Sequence, residues 1–145
     1  MMTPAVVVPI GQDHYAIAAD TVREVVSDPR ATRLPTAPAV FLGAFNLRGE
    51  VVPMFDSAML LGVGRLTNPS LAVVVNTKSG PAGLAVSGLP RVLNLGEELA
   101  PSELRGTLGS YDADGDVAVL LDVEMLLLQH TSLGGAIVSE DVIAR

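Results

Sequence analysis

Short apolar runs, many of them alternating with polar positions, recur along this chain between clusters of Gly, Pro, Asp and Asn, at spacings of roughly 8 to 12 residues. Alternation of this kind suits strands that bury one face, whereas a helix needs apolar positions every three or four residues. Ala5 to Ile10 is the first predicted strand, Gly11-Gln12-Asp13 a tight turn, and His14 to Ala18 the second strand, with Tyr15 and Ile17 on one face. Asp20 and Thr21 offer a cap for one helical turn, and Thr21 with Glu24 has capping-box spacing. Val22, Val25 and Val26 favour a strand instead, so a brief turn leading into a strand is expected. Pro35 and Pro38 interrupt regular pairing over 33–38, and Ala39 to Leu42 reads as one helical turn.

The stretch from Gly43 to Asp56 reads as a β-hairpin. Ala44 to Leu47 and Val51 to Phe55 are its apolar arms, and Arg48-Gly49-Glu50 is the reversal. Asp56 is placed to cap a short helix over Ser57 to Leu61 that Gly62 ends, and 64–70 is a loop. Leu71 to Asn76 and Ala82 to Val86 form a second hairpin around Lys78-Ser79-Gly80-Pro81, and Arg91 to Leu95 adds a strand. Glu97 to Ser102 reads as loop or a helical turn. Gly106 to Tyr111 and Val117 to Leu121 pair across Asp112-Ala113-Asp114-Gly115-Asp116, and Glu124 to Gln129 is a terminal helix. About ten short strands with only one- or two-turn helices predict an all-β barrel or sandwich.

Composition narrows the class. Hydrophobic residues make up 49% of the 145 and charged residues 17%, which is ample for a packed core and unlike a disordered chain. There is no cysteine, so disulfides and thiolate metal sites are excluded. Asp122 and Glu124 interrupt the longest apolar run, and no Lys or Arg precedes Arg23, so neither direct membrane insertion nor a signal peptide is expected; the expected location is cytoplasmic. The net charge of −7 is concentrated in residues 73–145, which carry ten acids against four bases. Phosphate would meet repulsion there, so nucleic acid is not an expected partner.

Candidate chemistry is sparse. His14 and His130 lie far apart with no ligand spacing around either. In Asp112-x-Asp114-Gly115-Asp116, glycine is fourth and Val123 twelfth, where an EF-hand needs Gly sixth and Glu twelfth; a polar turn accounts for the composition. Gly62-Val63-Gly64-Arg65 lacks the third glycine of a dinucleotide loop, and no Ser sits in a Gly-x-Ser-x-Gly elbow. No cofactor or metal is expected, and no catalytic constellation is visible.

The chain resembles the CheW family of chemotaxis coupling proteins. The residues that carry this are Tyr15-x-Ile17, Val22-x-Glu24-Val25, Arg33-Leu34-Pro35-x-x-Pro38, Gly43-x-x-Asn46-Leu47-Arg48-Gly49-x-x-x-Pro53, Gly83-Leu84-x-Val86 and Leu120-Leu121-Asp122-x-x-x-Leu126-Leu127, in order over about residues 5–128. The resemblance implies two small five-stranded SH3-like β-barrels packed on a shared apolar core, with short helical turns and a C-terminal helix. One domain over 1–129 is expected, followed by a C-terminal tail over 130–145 that the Gly134-Gly135 pair would free. The resemblance also implies a non-enzymatic adaptor that couples chemoreceptor cytoplasmic tips to the regulatory domain of a CheA-type histidine kinase; the alternative is a CheW-like protein-binding module serving another signalling or pilus-motility system.

Two departures accompany the resemblance: Ser87 stands where family members commonly carry an acid, and Ser57-Ala58 where a basic residue is usual. Carried over residue by residue, the resemblance places Val22, Glu24, Gly43, Asn46 and Arg48 on surfaces that dock receptor or kinase. From the residues alone, Arg48 is either the neutralising partner of Glu50 or Asp56 at a turn or a planar five-donor fork for a partner carboxylate or carbonyl. Glu24 is either a solvated outward carboxylate or the selective element of a surface that also uses Val22.

Overall fold

The computed structural model describes residues 3–134, with side chains through 128. Eleven strands and two α-helices follow in the order β1 (Thr3–Ile10), β2 (Asp13–Ala18), β3 (Val22–Ser27), β4 (Phe41–Leu47), β5 (Glu50–Asp56), α1 (Ser57–Leu61), β6 (Leu71–Thr77), β7 (Gly80–Val86), β8 (Arg91–Leu95), β9 (Glu98–Ala100), β10 (Thr107–Ala113), β11 (Asp116–Leu121) and α2 (Val123–Gly134). A single 3-10 turn, Ala19–Thr21, joins β2 to β3, as the competing cap and strand signals suggested.

The strands make two sheets. One runs β8-β1-β2-β11-β10-β9 and the other β3-β6-β7-β5-β4. The chain starts in the first sheet, builds the whole second sheet, and returns, so the first lobe takes strands from both ends of the described chain. Both sheets curl toward closure. In the first, Gly96 N donates to Asp112 O (2.7 Å) and Asp112 N to Glu97 O (3.0 Å). In the second, an isolated bridge joins Thr32 to Ala44 through Thr32 N to Ala44 O (2.7 Å) and Ala44 N to Thr32 O (3.1 Å).

The apolar alternation explains how the lobes share a core. Val6, Val8 and Ile10 of β1 point one way and meet Tyr15 and Ile17 from their own sheet, with Phe41, Phe55, Val73, Val75, Leu84 and Val86 from the other. Ala5 and Val7 point the other way into the first barrel, beside Ala16, Leu95, Ala113 and Ala118. Strand β6 does the same in the second lobe, with Ala72 and Val74 turned inward onto Phe45, Val52, Met54 and Ala85. Strands buried on both faces read as continuous apolar runs rather than alternating ones. The alanines follow from the narrow interior of a small closed sheet. Phe41 and Phe55 meet at 5.7 Å between centroids and 58° between planes, the tilted contact aromatic rings prefer.

Helix α1 is set by its flanks. Asp56 is buried and accepts from Met59 N (3.1 Å) and Leu66 N (3.0 Å), so one carboxylate caps the helix and holds the following loop. Gly62, at φ 71, ends the helix in the left-handed conformation that suits glycine. At the start of α2, Asp122 Oδ1 accepts from Met125 N (3.1 Å), and Glu124 Oε1 accepts from Lys78 N (2.7 Å), which ties the helix to the β6–β7 turn.

Three expectations are corrected. The segment 97–102 contains β9, paired to β10 at Ser110↔Ala100 and Tyr111↔Glu98, so the sheets have six and five strands rather than five and five. All three residues of β9 are exposed, so the strand forms by backbone pairing and leaves no apolar signal. The helical turn read at 39–42 shrinks to one hydrogen-bonded turn, Phe41 N to Pro38 O (3.0 Å), because β4 starts at Phe41, whose ring is buried in the shared core. The terminal helix runs to Gly134, past the boundary expected at 129, and the rest of the expected tail, 135–145, lies outside the described residues.

Candidate functional site

The β4–β5 hairpin turns through two residues, Arg48 at φ 50 and Gly49 at φ 88, with Leu47 paired to Glu50. Positive φ at both central positions is the turn geometry whose twist matches a two-residue hairpin, and Asn-Gly or Gly-Gly is its usual sequence. Asn46 Oδ1 accepts from Gly49 N (2.8 Å) and fixes the turn from the side. Arg48 therefore projects from a locally rigid tip, with its side chain 69% exposed.

Its partner is Glu24. Arg48 Nη1 donates to Glu24 Oε1 (3.3 Å) and Nη2 to Glu24 Oε2, a two-pronged ion pair across residues 24 apart in sequence. The Glu24 side chain is the more covered of the two, at 29%. The hydrogen bond from Arg48 holds its carboxyl below the ordinary glutamate value; partial burial opposes this, and the charges of Arg48 and then Arg23 add to it. The same bond and charge push the Arg48 guanidinium higher still, so it stays protonated throughout the working pH range.

Neither of the local partners considered for Arg48 is used. Asp56 is buried at the α1 cap, and Glu50 Oε1 accepts from Arg23 Nη1 (2.7 Å). Arg23 also donates from Nε to Asn76 Oδ1 (3.0 Å), so it spans β6 and the start of β5. Two ion pairs of opposite polarity thus cross from β3 to the hairpin.

The five residues singled out from the sequence fall into three settings. Glu24, Asn46 and Arg48 come together at the tip. Val22 is half-buried and packs against the shared core, pairing with Val75 at the start of β3. Gly43 is buried at φ 131 beneath the strap that follows β3, where an added Cβ would lie 2.6 Å from Thr32 O. Its bare backbone is what admits the Thr32–Ala44 bridge.

Sequence reasoning missed Arg23, Glu50 and Asn76 as a group, because Arg23 and Asn76 look like ordinary solvated strand residues and Glu50 was read as a turn residue beside Arg48. It also missed Leu89 and Val92, which at 78% exposure are the most exposed large apolar side chains among the described residues. Leu89 precedes an edge strand paired on one side only, so the alternation there did not reveal which side meets water.

Elsewhere, Asp112 Oδ1 accepts from Gly115 N (3.2 Å), which spends that carboxylate on its own turn. Ser87, at the position of the first departure, closes the lobe junction: its Oγ accepts from Gly11 N (2.9 Å) and its N donates to Pro9 O (3.0 Å). At the second departure, buried Ser57 gives its hydroxyl to Ala85 O, so this position faces the interior and not a surface ion pair. Among the described residues no cluster of three or more His, Asp or Glu side chains is arranged to hold a metal ion, and no helix is long and apolar enough to cross a membrane.

A family model described as a CheW-like domain matches residues 4–130. The chain is 31% identical over 134 residues to a probable chemotaxis protein CheW of Rhizobium etli, covering 85% of this chain and 86% of that one. It is 30% identical over 129 residues to the chemotaxis protein CheW of Klebsiella aerogenes, covering 81% and 77% respectively. In fold it is similar to the crystal structure of the scaffolding protein TtCheW from Thermoanaerobacter tengcongensis, with a TM-score of 0.75 over 87% of this chain and 92% of that one, at 23% identity.

Proposed function

The chain belongs to the CheW-like domain family, and from that membership we propose that it is a non-enzymatic adaptor of a chemosensory array, acting in the cytoplasm. In this reading the domain over 1–129 holds chemoreceptor tips and a CheA-type histidine kinase in one assembly. Its surfaces supply many modest contacts, which gain strength because the partners are already held near one another.

The observation that carries the docking site is the Glu24–Arg48 pair on a rigid turn. A guanidinium that is mostly in solvent, always charged and already oriented presents its remaining donors to a partner carboxylate or main-chain carbonyl at little entropic cost. Glu24 beside it offers the opposite charge, so a partner has to match two signs in order, which gives selectivity more than raw affinity. Half-buried Val22 packs against the shared core and holds the start of β3, which carries Glu24. Asn46 contributes by shaping the turn, and Gly43 by letting the strap close beneath it.

Exchanging Arg48→Glu places two carboxylates face to face and removes the fork. The expected outcome is a folded protein with an unchanged thermal midpoint to within a few degrees, and loss of receptor-dependent kinase activation in a reconstituted mixture of receptor tips, kinase and adaptor. Wild-type activation by Arg48→Glu at matched concentrations rejects this site. The same mixture tests the adaptor role itself, since wild-type protein that binds neither partner rejects that as well.

A further inference from the structure

Arg23 occupies an irregularity in β3. Val22 pairs with Val75 and Glu24 with Val74, so Arg23 is the extra residue of a β-bulge. A bulge bends the strand and re-aims the side chain it carries. Here it turns Arg23 toward the hairpin next to Glu24, two consecutive residues that a regular strand would point to opposite faces.

The need for such a contact follows from the topology. Strands β3 and β4 are the two ends of the second sheet's order. The bridge that closes them, Thr32–Ala44, lies on β4 before the tip and after β3. At the tip, side chains connect β3 to the hairpin: Arg23 to Glu50 and Glu24 to Arg48. Of the two cations, Arg23 is the better anchored. It has two partners on two strands, and its side chain is 34% exposed against 69% for Arg48. Glu50 sits at the foot of the turn, directly after Gly49, so holding Glu50 fixes where the turn stands relative to β3.

We infer that Arg23, braced by Asn76 and pulling on Glu50, is a positioning residue that locks the hairpin tip against β3 and thereby sets the geometry in which Arg48 meets Glu24. The inference rests on the docking reading above for its consequence in binding, but not for its consequence in the free protein. Glu50→Gln keeps the size of the side chain and removes its charge. The double exchange Arg23→Glu with Glu50→Arg restores an attraction of reversed sign, and the Asn76 amide can turn its NH2 toward the new carboxylate.

The test uses the full chain, with 15N relaxation of the Arg48 Nε–H group in the free protein and calorimetric titration with a purified receptor signalling-tip fragment. In Glu50→Gln the Arg48 side chain is expected to become more mobile and affinity to fall roughly two- to five-fold, the range open to an exposed pair, and the double exchange is expected to recover both. An Arg48 group as ordered in Glu50→Gln as in wild type overturns the inference. So does a loss of affinity without that loosening, which would make Glu50 a direct contact, and so does a double exchange that recovers neither quantity. Should Glu50→Gln loosen Arg48 while Arg48→Glu binds the fragment normally, the docking reading falls and the positioning role stands.

Discussion

Gly43→Ala separates a glycine needed by the fold from a glycine needed by a partner. The added methyl would lie 2.6 Å from Thr32 O, 2.9 Å from Thr32 C and 3.2 Å from Ala31 Cβ, on a backbone at φ 131 that side-chain-bearing residues rarely adopt. The first two contacts are with backbone, which has no rotamer to give way. The strap over 31–32 must therefore lift, and with it go two hydrogen bonds between Thr32 and Ala44. Those are worth about 0.5–1.5 kcal/mol each, and holding an L residue in a sparsely populated region costs about 1–3 kcal/mol. The expected loss is about 2–6 kcal/mol, a large part of the about 5–15 kcal/mol that holds a domain together. At about 2–4 °C per kcal/mol for a chain of this size, the thermal midpoint should drop by about 4–24 °C. Circular dichroism melts at two wavelengths measure this, with partner binding assayed at a temperature where the variant is folded. A midpoint within about 1 °C of wild type would refute the close-approach argument, and would leave Gly43 as a surface element after all.

Three other outcomes are expected. Asp56→Ala removes one carboxylate that satisfies two amides, at the α1 cap and at Leu66, so unfolding free energy in urea should fall by about 2 kcal/mol. Arg48→Asn puts the preferred Asn-Gly pair at the turn; its thermal midpoint should hold or rise while coupling of receptor to kinase is lost, and a marked fall in midpoint would show that Arg48 is there for the fold. Glu24 should titrate below the ordinary glutamate value by carboxyl 13C NMR, and return toward it in Arg48→Gln, since the Arg48 hydrogen bond is the leading cause of the shift. The sign follows: a carboxyl with a lowered folded value stabilises at pH above its unfolded value, and loses that contribution as pH falls through the folded one. Arg48 is mostly in solvent and Glu24 only partly covered, so the ion pair should open in acid without unfolding the protein.

Much of the fold was legible because burial leaves a period in the sequence. The strands at 5–10 and 71–76 were legible as apolar runs between turn signals, and the hairpin at 43–56 and the Asp56 cap as local patterns of a few residues. The failures share one cause, which is that the deciding contact is distant or made by backbone. Strand β9 is exposed on every residue and pairs by main chain alone. The bulge at Arg23 leaves no mark among Val22, Val25 and Val26, because shifting the register by one residue keeps valines on either face. For Arg48 the neighbourhood offered Glu50 and Asp56 as partners, and only barrel closure brings up Glu24 from the other end of the sheet. Gly43 was legible as a member of a motif, but not as the floor beneath Thr32.

The backbone of Arg48 argues further for a role outside the domain. A left-handed conformation is unfavourable for a long side chain, and Asn would satisfy this turn better. Its ion pair with Glu24 does little to offset that, because the attraction acts in solvent, where salt screens it. Arg23–Glu50 already spans the same seam with a better-covered cation. An arginine at the tip is thus poorly explained by stability and well explained by reach: the turn conformation throws the side chain clear of both strands, the pair with Glu24 orients it, and most of its surface stays open. Under the proposed docking role, strain held by surrounding structure at an exposed polar tip fits a residue placed for a partner, and here the surrounding structure is the seam that closes the second barrel.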